Sequence, residues 1–554
     1  MTPMMAQYFE VKNQYKDYLL FYRVGDFYEM FYDDAILASR VLELTLTGRD
    51  AGEEERAPMC GVPFHAAEVY IGRLIEKGYR VAICEQTENP KEAQGLVKRE
   101  VIRVVTPGTL IETELLPETK NNYICSIYVG ESSTGVCFAD ISTAEIYATC
   151  FENAGLEARL KNELGTYSPC ETLLNVNAEK LVWFSDYVRD RMKTMVIDNQ
   201  PHRFEAENVK RLVQNQFGED TYLTVSHDFS LMAATGALLD YIADMQKCDI
   251  SYIKNLNVYS DGQYMELDIN TRRNLELTEA MRSKDKKGSL LWVLDKTRTA
   301  PGARMLRKWI EHPLLNVKDI VKRQGAVGEL CESFMLREEI GELLSHVLDL
   351  ERLITKVVYG TSNARDLRAI ATTIAILPEL RTLLGSCGSE ALAEIFRGLD
   401  VLEDIHTLID SSIVETPPIV LREGGLICKG YNEDIDRLRS IMENGKEWIE
   451  RIAEQERELT GIKNLKISYN KVFGYYIEVT KSYYELVPER YIRKQTLANC
   501  ERYITQELKD MEATILGAED KVCTLEYEIF QQIRATIAEN SDRIRSVAEK
   551  VSLV

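Results

Sequence analysis

Over the first 115 residues, short apolar runs alternate with amphipathic ones. Leu19–Phe31 reads as a strand or hairpin, Tyr32–Leu44 and Ala66–Gly78 as helices, and Arg80–Glu85 and Glu100–Val105 as strands. Thr106-Pro107-Gly108 is a turn signal that closes this mixed α/β module, and a connector rich in Glu, Thr and Pro (Ile111–Asn122) follows. Strand alternation then resumes. Tyr123–Gly130, Gly135–Ile141 and Ala144–Phe151 predict a meander, followed by helical stretches that end in Phe229–Met245. From about residue 246 onward the pattern is helical. Leu508, Met511, Ile515, Ala518, Val522, Leu525 and Ile529 recur at three–four spacing, the seam of a long helix. Its predicted partner is Tyr431–Leu459, through Ile435, Leu438, Met442, Ile449, Ile452 and Leu459. Between them, Ile462–Ile504 is β-rich and broken by Pro488. Two long antiparallel helices carrying a small β tip are expected, and a helix from Glu501 to near Val554 would run about 75 Å at ~1.5 Å per residue.

A chain of 554 residues exceeds one core, so three or four domains are expected. Hydrophobic residues at 45% and charged residues at 28% are ordinary for a globular protein. The first residues lack a basic stretch followed by an apolar one, and the most apolar helical window, Leu231–Met245, is broken by Asp240 and Asp244. The expectation is a soluble, cytoplasmic protein with no membrane partner. Twelve cysteines lie singly from Cys60 to Cys523 without a C-x-x-C pair, and the six histidines are dispersed. Free, mostly buried thiols are expected, with no metal site. The net charge of −21 opposes phosphate binding on average but does not exclude a local basic face.

Three places carry candidate chemistry. Phe27 and Glu29 stand two apart on an extended run, so ring and carboxylate project from the same face. An apolar wedge between base steps needs such a ring, and the carboxylate can accept a hydrogen bond from a base edge or, protonated, donate one. The same alternation also arises from simple core packing on a half-buried strand. In residues 463–510, nine basic residues outnumber six acidic ones, and tyrosines and the amides Asn470, Gln495 and Asn499 interleave with them. That suits phosphate contact without base reading, or a solvated surface. Asp140, a lone carboxylate on a central strand, reads as a turn or solvent-facing residue, because a nuclease needs clustered metal-binding carboxylates.

Several motifs together resemble the MutS family of DNA mismatch-recognition proteins. Gly25-Asp26-Phe27-Tyr28-Glu29 is similar to its mismatch-reading motif, and Pro58-Met59-Cys60-Gly61-Val62-Pro63 resembles the loop that follows it. Leu267 to Leu277, containing Asn270-Thr271-Arg272-Arg273-Asn274, resembles the entry to the family's core domain. Tyr469 to Tyr476 and Tyr491 to Leu497 resemble its clamp. The resemblance covers the whole chain, in order.

That resemblance implies a multidomain α+β architecture. It comprises a mixed α/β mismatch-binding domain (1–115), an RNase H-like α/β connector (116–245) and an all-α core with levers (246–424). A small β-rich clamp with its flanking lever helix (425–512) and a returning lever helix (513–554) complete it. It implies Phe27 as the wedge, Glu29 as its hydrogen-bonding neighbour, and Pro58 and Met59 in a loop near DNA. Lys466, Lys471, Arg493, Lys494 and Asn499 would hold the phosphate backbone. The implied partners are duplex DNA with mismatches or small loops, a MutL-type repair protein docking on the connector, and a second copy of the full-length protein. No G-x-x-x-x-G-K-[ST] occurs, and Gly445-Lys446 is followed by Glu447. The expectation is therefore that this chain is not an enzyme and carries no cofactor. ATP and Mg2+ would belong to an ATPase domain after residue 554. An alternative is an interaction scaffold for a repair partner, with DNA contact secondary.

Overall fold

The computed structural model describes residues 2–52, 56–88, 95–197, 200–247, 249–260, 262–470 and 474–554. The aromatic run at its start folds as a hairpin of β1 (Leu19–Val24) and β2 (Phe27–Phe31), with Val24 opposite Phe27. Gly25 opens the two-residue loop at φ +59°, a left-handed conformation that glycine adopts without a Cβ clash. Strands β3 (Thr47–Arg49), β4 (Ala57–Pro63), β5 (Val81–Gln86) and β6 (Arg99–Val105) extend this into a six-stranded sheet of order β3-β4-β2-β1-β5-β6. Period-two alternation sorts the side chains between two cores. Leu19, Phe21, Tyr28 and Met30 pack with helices Tyr32–Leu42 and Ala67–Glu76, while Leu20, Tyr22 and Phe31 meet Met5 and Tyr8 of helix Pro3–Gln14.

Pro58 and Met59 are not in a loop. They lie within β4, with Met59 paired to both Phe31 and Thr47 and Pro58 to Gly48. The Pro- and Gly-rich text suggests a loop, but Cys60 and Val62 bury on one face and hold the segment in the sheet.

The second sheet consists of β7 (Ile124–Val129), β8 (Ser133–Asp140), β9 (Glu145–Glu152), β10 (Glu171–Leu174), β11 (Met195–Ile197) and β12 (Leu256–Val258), in the order β11-β10-β7-β8-β9-β12. The meander β7-β8-β9 is antiparallel, and β10 and β11 run parallel beside β7. Helix Phe229–Gln246 packs across this sheet through an almost wholly buried surface. At Gly135 the helix start comes so close that an added Cβ would lie 2.0 Å from the Ser230 carbonyl oxygen. Asp140 ends β8 in a turn but is fully buried rather than solvent-facing. It accepts from the Ser142 backbone and hydroxyl and from Asn121 and Asn122, which explains a carboxylate there without any catalytic role.

These two sheets and the helices at residues 269–361, 377–398 and 541–553 belong to one unit, and residues 362–371 and 403–537 form another. In the first, the Glu/Thr/Pro connector is pinned to core helices. The Arg304 guanidinium donates to the Glu118 carbonyl at 2.9 Å, and Arg352 donates to the carbonyls of Pro117 and Lys120 at 3.0 Å each. Among the described residues, no helix is long and apolar enough to cross a membrane. The described cysteines are free. Only four are buried, six are half-buried and Cys331 is exposed, fewer buried than the composition suggests.

The second unit holds helix Glu433–Thr460, a four-stranded antiparallel sheet and most of helix Gln506–Glu539. The single helix expected from Glu501 onward does not form. Residues Cys500–Ile504 pair as a strand, the helix covers 34 residues or about 51 Å, and the chain breaks at Asn540 before helix Ser541–Leu553. The seam also differs from the apolar repeat. Leu525 and Met511 are only half-buried and Leu459 is 71% exposed, whereas Glu526 is fully buried. Glu526 accepts from Arg439 and from the Leu426 backbone, both at 2.7 Å, so a charge network occupies the place predicted for a leucine.

Candidate nucleic-acid interface

Phe27, Glu29 and Phe31 share one face of β2 and have three different environments. Phe31 is fully buried against Tyr8, with ring centroids 5.0 Å apart. Phe27, at the hairpin end, is 47% exposed although Tyr28 and Met30 beside it are core residues. Glu29 lies between them. Burial raises its carboxyl above the ordinary range, and the Arg49 guanidinium, with which it forms an ion pair, opposes that shift. Gly61 on β4 pairs with Glu29, and an added Cβ there would lie 3.3 Å from the Tyr28 carbonyl oxygen, a tight contact.

The hairpin that carries Phe27 is braced on its other face. Tyr28 donates to Glu85, and Arg23 pairs with Glu85 at 3.1 Å. The same Arg23 guanidinium lies 3.9 Å from the centre of the half-exposed Phe64 ring. Arg99 adds a bond from its Nε to the Arg23 carbonyl at 2.7 Å. Sequence reading identified Phe27 and Glu29 but missed Arg49, Arg23 and Phe64. Arg49 joins the motif through the pairing of β3 with β4 and of β4 with β2, and Phe64 through the turn that follows β4, neither of which leaves a local periodic signal.

The tip sheet consists of β13 (Lys466–Asn470), β14 (Gly474–Thr480), β15 (Ile492–Thr496) and β16 (Cys500–Ile504), in the order β13-β14-β16-β15. Ile477, Val479 and Tyr503 bury with Ile462, Leu465 and Leu508. The cross-strand row Lys466–Glu478–Arg502–Gln495 spans the sheet, with Arg502 bonded to Gln495 at 2.8 Å and lying over the Tyr476 ring. Arg493 and Lys494 on β15 and Asn499 in the turn before β16 belong to one hairpin. Lys494 occupies a bulge where the register shifts, and all three are exposed. Arg493 is 64% exposed and lies 3.3 Å from Glu501, so its charge is partly engaged. Lys466 is exposed on the opposite edge strand, three strand spacings or about 14 Å away. Lys471 lies outside the described residues.

A family model described as MutS domain I matches residues 2–114, MutS domain II matches 122–254 and MutS domain III matches 270–554. The chain is 50% identical over its whole length to the DNA mismatch repair protein MutS of Acetivibrio thermocellus, covering 64% of that protein. It is 51% identical to the protein of the same name from Ruminiclostridium cellulolyticum, covering 63% of it, and 47% identical to that of Clostridium perfringens, covering 60%. The chain thus spans somewhat under two thirds of the length of these curated relatives. Domain III alone accounts for more than half of it, and the three domains follow one another in order along its whole length, so the chain belongs to the MutS family.

Proposed function

We propose that this chain recognises mispaired or unpaired bases in duplex DNA to initiate mismatch repair, with Phe27 as the inserted wedge. The observation that carries the reading is the placement of Phe27: a large ring about half exposed at the end of a hairpin whose adjoining residues are locked in a core. Insertion of such a ring unstacks a base step and kinks the duplex. A mispair is already poorly stacked, so the deformation costs less there than in matched DNA, and preference follows from deformability rather than from a donor–acceptor code. Glu29, whose carboxyl burial pushes toward the protonated form, would hydrogen-bond the displaced base. Pro58 and Met59, on the strand beside β2, would flank the contact as part of the sheet.

Backbone contacts are assigned to Lys466, Lys471, Arg493, Lys494 and Asn499. Exposed cations on both edges of the tip sheet support this for Lys466, Arg493 and Lys494. The antiparallel meander β9-β8-β7 continued in parallel by β10 and β11, with β12 added parallel to β9, supports an RNase H-like connector, the surface on which a MutL-type partner would dock. The test is equilibrium binding to a G·T duplex and to its matched counterpart. The wild type should favour the mispair at least tenfold, about 1.4 kcal/mol, and Phe27→Ala should bring the ratio close to one. An unchanged ratio in Phe27→Ala would remove the wedge assignment.

A further inference from the structure

Ile269, Arg272 and Arg273, in a segment that mismatch recognition leaves unexplained, form one wall of a cavity of about 300 Å³. The other walls are the end of the connector at Lys120, the end of helix Leu156–Tyr167 and helix Ala300–Glu311. All of these lie in one compact unit. Arg307 Nη1 pairs with Glu311 at 3.4 Å, Lys120, Arg272 and Arg273 line the same space, and Lys284 and Glu279 add one charge of each sign to the lining. Arg304 and Lys308 also line the cavity. Asp349 and Glu351 engage Arg304 at 2.7 and 2.6 Å, and Glu145 lies 3.6 Å from Lys308. The cavity is therefore cationic inside a chain of net charge −21.

Three buried donors of lining residues lack partners among the described residues: Arg272 Nη1, Arg304 Nε and Arg307 Nε. The Arg272 guanidinium is held in place by its other nitrogens. Nε donates to the Leu267 carbonyl at 2.9 Å and Nη2 to the Glu311 carbonyl at 3.1 Å. Burial lowers Arg272 from its ordinary value. Burial, with the positive charge of Arg272, also pushes the neighbouring His312 imidazole down to about 4, so no added proton competes there near neutral pH. A fixed guanidinium with an unused N–H in a concave, partly desolvated wall suits an oxyanion, which forms short charge-assisted bonds to it. The volume admits a small ligand.

We propose that this cavity binds a phosphoryl anion, either free inorganic pyrophosphate or the phosphate of a mononucleotide. Arg272 and Arg307 donate to its oxygens, and Lys120 and Arg273 supply further charge. Calorimetric titration of the whole chain with inorganic pyrophosphate and, separately, with dAMP tests this. Saturable binding at one site is expected, and the tighter of the two identifies the source of the phosphoryl group. Arg272→Met combined with Arg307→Gln should weaken binding at least tenfold. Lys120→Ala combined with Arg273→Ala, which leaves the buried guanidiniums in place, should weaken it several-fold. Lys318→Ala, on an exposed helix away from the cavity, should leave it unchanged. The proposal is overturned if neither anion binds saturably, or if both double variants bind as the wild type does.

Discussion

Phe27 and Phe31 stand on one face of a five-residue strand, yet one is about half exposed and the other fully buried. The alternation makes their shared face legible in the sequence. What it cannot supply is which end of that face the Tyr8 helix covers, because the cover comes from residues twenty positions away. The same holds for Arg49, whose ion pair with Glu29 depends on the pairing of β3 with β4 and of β4 with β2. Because Arg49 opposes the upward shift that burial imposes on Glu29, Arg49→Met should raise the Glu29 carboxyl further, read as a higher midpoint in a 13C carboxyl titration. A second residue-scale prediction concerns His312, held at about 4 by burial and by Arg272. The unfolded chain protonates near its ordinary value of about 6.5. Stability from the neutral imidazole is therefore present above that pH and is lost as pH falls toward 4, by at most about 3 kcal/mol. His312→Asn should flatten this slope in urea denaturation series between pH 7 and 4.

Among elements, the β1–β2 hairpin, helices Tyr32–Leu42 and Ala67–Glu76, strands β5 and β6 and the meander after Tyr123 were legible within a few residues, whereas helix Pro3–Gln14 and strands β3 and β4 were not. The legible elements have regular periods and their turns carry Gly, Pro or Ser. The long helices were legible as a pair but not in their extent. Nothing in the repeat of Leu508 to Ile529 marks Cys500–Ile504 as strand, since that assignment comes from pairing with β14 and β15. Nor does an apolar repeat indicate that Glu526 enters the seam while Leu525 sits at its edge. Glu526→Ala would leave the Leu426 N–H without its acceptor and Arg439 without its carboxylate. A loss of about 2–4 kcal/mol in denaturant-derived stability is expected, well above the effect of an exposed ion pair. At the tip, Lys494 sits on a bulge of β15, an edge strand, and Lys466 on the opposite edge strand. If both neutralise phosphates, Lys466→Ala with Lys494→Ala should weaken mismatched and matched duplex binding alike. It should also reduce the slope of log K against log salt by nearly two. An unchanged slope would take them off the phosphate contacts.

At the scale of the molecule, membership of the MutS family rests on three domain matches in order and about 50% identity along the whole chain. The motifs that revealed it in the sequence were those with aromatic, glycine and basic residues at unusual density. The cationic cavity was not legible, because its walls come from four separate segments between Lys120 and His312. The central claim is that Phe27 enters the base stack at a mispair, and unstacking can be observed directly. A duplex with 2-aminopurine next to a G·T mispair should brighten when the wild-type chain binds, because the base leaves its stacked environment. Phe27→Ala, at concentrations that saturate the duplex, should bind without that increase. An equal fluorescence gain from both proteins would contradict the account.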